Sequence, residues 1–84
     1  MTNEQRQSII NDSVLETMIK YRNRILELKT QSENLSDIHN ELFHKYSTNR
    51  NKEVRQALYN YNHNENEIRD LEQSIIKLFM NYKP

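Results

Sequence analysis

The sequence predicts an all-α protein, an antiparallel and coiled-coil-like two-helix hairpin. A long helix spans about residues 4–46, a turn covers 47–51, and a second helix spans about 52–82. Three observations lead there. Val14, Tyr21, Leu28, Leu35 and Leu42 recur every seventh residue, and Met18, Ile25, Ser32, His39 and Tyr46 each follow by four. Alternating four-and-three spacing, held over four to five heptads, is how one long helix presents a narrow seam to another. Val54, Ala57, Tyr61, Asn64, Ile68, Leu71, Ile75, Leu78 and Tyr82 form a second seam, with every step three or four residues. Finally, glycine is absent and the single proline is Pro84. The tight glycine turns on which most β-hairpins depend are therefore missing.

Thr2 and Gln5 have capping-box spacing, and Glu4 favours the positive end of the helix dipole. Glu16 with Lys20 and Glu41 with Lys45 are i,i+4 pairs in the favoured order, each worth a few tenths of a kcal/mol. The weakest stretch is TQSENLSD, residues 30–37, rich in side chains that prefer caps and turns. The 28–35–42 register runs through it, so one continuous helix is expected rather than two. STNRN, residues 47–51, has no apolar residue and is the turn. Asn49 or Asn51 is placed to cap the second helix or to adopt αL at the end of the first. The Asn-rich run over 60–66 is where the second helix would fray.

Folding about residue 49 pairs positions whose numbers sum to about 99, as antiparallel neighbours joined by a short loop do. Leu28 then meets Leu71, Ile25 meets Ile75, Tyr21 meets Leu78, and Asn64 falls beside Leu35, between Ser32 and His39. Polar seam residues of both helices thus converge. Buried, such a contact fixes register at some cost in stability; solvated, it is a watered gap.

Residues 1–84 read as a single small domain, of a size at which one core supplies only roughly 3–5 kcal/mol. Mean hydropathy is −1.06 and the hydrophobic fraction 35%, both low. Lys+Arg and Asp+Glu are 12 each, so self-repulsion does not hold the chain open as it does in many disordered proteins. A folded, highly solvated helical protein is expected, with partial disorder alone as the competing state.

Without glycine there is no phosphate-cradling loop, dinucleotide fingerprint or nucleophile elbow. Without cysteine there is no disulfide framework, thiolate zinc site or thiol redox chemistry. No apolar run approaches the ~18 residues of a membrane span. The start, MTNEQRQSIINDS, lacks the basic and apolar blocks of a signal peptide. A cytoplasmic protein, or one exported by a leaderless route, is the expectation. The wealth of Asn, Ile, Lys and Tyr suggests an AT-rich genome of bacterial, phage or viral kind.

Glu41 and His44 form an E-x-x-H pair of the kind di-metal bundles use. With Leu42 facing the seam, however, both point to solvent, whereas such ligands project inward. Glu33, Asp37 and Glu41, and likewise His63 with Glu67, read as solvated helix faces. No Ser, His and acid fall into a nucleophilic arrangement, and two loop-free helices have nowhere to build an oxyanion hole. No enzyme activity, cofactor, metal or small-molecule substrate is expected. Lys45, Arg50, Lys52 and Arg55 gather at the turn near Tyr46, Tyr59 and Tyr61, but the pI of about 6.8 argues against a dedicated nucleic-acid binder.

What the seams leave over carries the functional expectation. Ile10, Phe43, Ile76 and Phe79 flank the seams, and two helices alone cannot cover stripes this wide. Burial calls for a dimer of hairpins or the helices of a heterologous partner. The expected function is a non-enzymatic interaction module: an adaptor, co-chaperone or assembly subunit. The intramolecular seam is Val14, Tyr21, Ile25, Leu28, Leu35 and Leu42 against Tyr61, Asn64, Ile68, Leu71, Ile75 and Leu78. Ile10, Phe43, Ile76 and Phe79 are left for the partner. The alternative is a small phage- or plasmid-type regulator that binds nucleic acid through the basic turn or inhibits a regulatory protein.

In length, hairpin layout and apolar second helix, the chain is similar in shape to the small helical hairpins of bacterial secretion systems. These include the partners of type VII substrates, the type III needle subunits and their co-chaperones. The resemblance implies an assembly or chaperone role. The chain departs from both patterns, having neither the Trp-x-Gly turn of the first nor the proline-containing loop of the second.

Overall fold

In the computed structural model, which describes residues 2–83, the chain forms two antiparallel helices, α1 (Asn3–Tyr46) and α2 (Lys52–Phe79). They make a rod of 65 × 17 × 14 Å. No strand occurs among the described residues.

The capping box starts α1. The Gln5 amide donates to Thr2 Oγ1 at 3.1 Å while the Thr2 amide donates to Gln5 Oε1 at 2.9 Å. Two otherwise orphaned donors are satisfied reciprocally. The polar stretch over 30–37 is continuous helix, and two of its side chains are taken up within the fold. Thr30 donates back to the Leu26 carbonyl at 3.2 Å, and Ser32 is buried in the helix interface. Of the two expected ion pairs, Glu16–Lys20 forms at 4.0 Å with both groups exposed. Lys45 instead sits over the Tyr46 ring, 5.2 Å from its centroid.

At the turn, Ser47 rather than an asparagine takes the left-handed conformation, φ 53 and ψ 27, and its amide donates to the Phe43 carbonyl. Asn51 caps α2 as its residue type allows, its Oδ1 accepting from the amides of Glu53 at 2.8 Å and Val54 at 3.3 Å. The Asn-rich run over 60–66 is continuous helix.

α2 ends at Phe79, three residues before the predicted limit at 82. There the chain tightens into i→i+3 bonds, Asn81 amide to Leu78 carbonyl and Tyr82 amide to Phe79 carbonyl. Asn11 of α1 then takes both backbone groups of Lys83. Its Nδ2 donates to the Lys83 carbonyl, and its Oδ1 accepts the Lys83 amide at 3.1 Å. Met80 still makes its helical bond to the Ile76 carbonyl, and the clamp holds Lys83 against α1 beyond the tightened turn.

The core follows the seam. Ile25, Leu28 and Ile68 form its centre, with Leu71 and Ile75 packed against it. Leu28 and Val54 are the large side chains with almost no exposure, at 1% and 0%. The register holds the sum of 99 at the turn, where Tyr46 meets Glu53, and departs from it from the middle of the rod to the open end, where Arg24 meets Glu67 and Asn11 meets Lys83. Asn64 reaches Leu28 and Ser32 rather than Leu35, about one turn further toward the open end. The reason is chemical: one turn on, the amide finds the Ser32 hydroxyl as well as a backbone carbonyl, whereas the Leu35 side chain offers no acceptor.

Candidate interaction surface

The convergence of polar seam residues is a buried, bonded contact. Asn64 Nδ2 donates to the Leu28 carbonyl and to Ser32 Oγ, both at 2.7 Å. Both side chains are buried, Ser32 at 7% and Asn64 at 6% exposure. An apolar register slip would leave these groups unpaired, at about 1–3 kcal/mol per buried group. The contact therefore holds the two helices in one axial alignment. His39 is less well served. Its Nε2 is buried without a hydrogen-bond partner, and its ring stacks on Phe43 at 6.3 Å between centroids.

The remaining seam residues line the interface at graded depth. Val14, Ile25, Leu28 and Ile68 are buried; Tyr21, Leu35, Leu42, Tyr61, Leu71, Ile75 and Leu78 are half-buried. The four residues assigned to a partner are all exposed, Ile76 and Phe79 most, at 62% each. Ile10 and Phe43 are less so.

These four do not form one patch. Lys29, Glu33, Ser36 and Asp37 of α1 line a shallow groove of about 480 Å³ opposite Tyr61, Glu65 and Glu72 of α2, over Ser32 and Ile68. Residues seven apart share a helix face. On α1 the row through Lys29 and Ser36 continues to Leu15 and Arg22 at one end and Phe43 at the other. On α2 the row through Glu65 and Glu72 runs from Leu58 to Phe79, with Ile76 one turn from Glu72. Phe43, Ile76 and Phe79 thus lie on the groove side, but Phe43 is near the turn and the other two at the open end, roughly 40 Å away. Ile10 belongs to the opposite side, on the row of Arg24, which meets Glu67 at 3.4 Å there.

The structure adds Leu15 and Ile19 at the open end of the groove side and Leu26 nearer its middle, exposed at 44–57%. Their signal was present as a second apolar row set one residue after the seam, at 15, 19 and 26. The row is short and interrupted by Arg22 and Lys29, so its spacing marks an apolar face less strongly than the seam does.

Other candidate sites stay dispersed. Glu41 and His44 are exposed, and no group of three or more His, Asp or Glu suited to a metal ion occurs among the described residues. At the basic turn a carboxylate intervenes: Tyr46 OH bonds Glu53 at 3.1 Å, among Lys45, Lys52 and Arg55. No described helix is long and apolar enough to cross a membrane. Compared with protein-family models, curated proteins and solved structures, the chain matches none of them.

Proposed function

We propose that this chain is a non-enzymatic protein–protein interaction module, a register-locked helical hairpin that binds other helices through its exposed apolar side. The observation that carries the reading is the open-end cluster of Leu15, Ile19, Ile76 and Phe79 on the groove side, all more than two-fifths exposed. Isolated exposed apolar residues are ordinary on any protein; several large ones on one side of a thin rod mark a surface that gains by being covered. In a pair of helices each has only one neighbour, so apolar positions outside the seam have nothing to bury against. A third or fourth helix laid along the groove would supply it.

The buried Asn64–Ser32 contact supports the same reading, because a docking surface needs a fixed axial alignment of the two helices that compose it. The chemistry on which this reading rests is burial and shape.

The test is Phe79→Asp in the full chain, with sedimentation mass, capture of binding proteins and far-ultraviolet circular dichroism measured together. Phe79 is outside the hairpin core, so helicity should persist while the associated mass falls. Losing one buried aromatic contact costs about 1.5–3 kcal/mol, roughly ten- to a hundredfold in affinity. A fully helical monomer at every concentration, with no captured protein that the substitution releases, would refute the reading.

A further inference from the structure

We infer that the occupant of the groove side is a second copy of this chain, packed with the two-fold axis along the rod so that both open ends lie together. The inference rests on the interaction-module reading and names its partner. Its basis is the matched content of the two rows that border the groove. Stepping by sevens away from the Asn64–Ser32 bond toward the open end, α1 presents Lys29, Arg22 and Leu15, while α2 presents Glu65, Glu72 and Phe79. At each level a cation faces a carboxylate, and at the last an aliphatic faces an aromatic.

Within one chain these charges go unused. The ion pairs of the described residues are Glu16–Lys20, Arg24–Glu27 and Arg24–Glu67, so neither Arg22–Glu72 nor Lys29–Glu65 closes across the groove. A two-fold axis along the rod lays α1 of one copy over α2 of the other at the same level. Leu15 and Ile19 then meet Phe79 and Ile76 of the second copy, and Arg22 and Lys29 approach Glu72 and Glu65 of the second copy. Each contact occurs twice, as in any isologous pair. Opposite charges at such flanking positions select partner and orientation.

The area is sufficient. At their fractional exposures, Leu15, Ile19, Ile76 and Phe79 offer on the order of 400 Å² per copy, and the flanking Arg22, Lys29, Glu65 and Glu72 stems add to it, so a pair hides on the order of 1,000 Å², the size of weak, reversible complexes. The open end is also where the hairpin has least core of its own, Ile75 and Leu78 being only half-buried.

The experiment is sedimentation equilibrium of the full chain across micromolar to millimolar concentration. The expected result is a reversible shift from 10.3 kDa to twice that mass. Ile76→Glu and, separately, Ile19→Glu should each hold the chain at the monomer mass with helicity unchanged. Orientation is read from a single spin label on an Asn49→Cys variant at the turn tip. Labels less than about 30 Å apart indicate the parallel pair, whereas the antiparallel one separates them by about 60 Å. A monomer at all concentrations, a dimer indifferent to both substitutions, or the longer label distance overturns the inference. If the chain is monomeric throughout and Phe79→Asp still releases a captured protein, the interaction reading survives and only its partner changes; if it releases nothing, both fall, whereas a dimer of another geometry overturns this inference alone.

Discussion

Asn64 is the residue on which the interface alignment turns. Its amide satisfies the Leu28 carbonyl and the Ser32 hydroxyl in a region otherwise closed by Ile25, Leu28 and Ile68. Asn64→Ala should destabilise the hairpin by about 1–3 kcal/mol, because it strands a buried hydroxyl and opens a small cavity. Replacing both partners, Asn64→Leu with Ser32→Ala, should recover most of that stability but blur the alignment of the two helices. Thermal unfolding reads the first effect, and broadened amide resonances across the interface read the second. Equal losses in the single and double variants would show that packing, not polar pairing, sets the contact. His39 illustrates the opposite case at the same scale: its unpaired Nε2 is a cost the interface tolerates.

At the scale of elements, the two helices are bounded by different devices. α2 begins on the Asn51 side chain, which satisfies two of its amides. Asn51→Ala should therefore cost about 1 kcal/mol in unfolding free energy. Ser47 ends α1 in a conformation that disfavours any residue with a Cβ. Ser47→Gly should stabilise by a few tenths to about 1 kcal/mol, the relief of the left-handed strain outweighing the added chain entropy of glycine. A loss of stability on that substitution would mean that Ser47 contributes a contact beyond its backbone shape. The helices themselves were legible from seam spacing and cap residues. The Asn11–Lys83 clamp beyond the end of α2 was not, because it joins residues 72 apart in sequence.

Across the whole molecule, stability should grade along the rod. The closed core of Ile25, Leu28, Ser32, Asn64 and Ile68 lies in the middle, and Val54 with Ala57 is buried next to the turn. Residues 3–10 are exposed except for Gln7, and only the Asn11 clamp ties that end across to residue 83. Amide hydrogen exchange should be slowest around 25–32 and 64–68 and fastest over 3–10, the fraying end opening far below the global free energy. If the open ends pair between copies, protection over 15–22 and 72–79 should rise with concentration while the middle changes little. Uniform protection along the chain would contradict the graded picture.

The two helices, their antiparallel order, the turn at 47–51 and the identity of the seam are legible in residue order, because each depends on local propensity and on periodicity. Helical spacing is a one-dimensional signal, readable without knowing the neighbour. Tertiary structure alone decided the alignment at Asn64, the clamp beyond the end of α2, and the side of the rod to which each flanking residue belongs. These depend on which atoms of one helix find partners on the other. That is why Ile10 and Phe79, alike as leftover apolar positions in the sequence, lie on opposite sides of the folded rod.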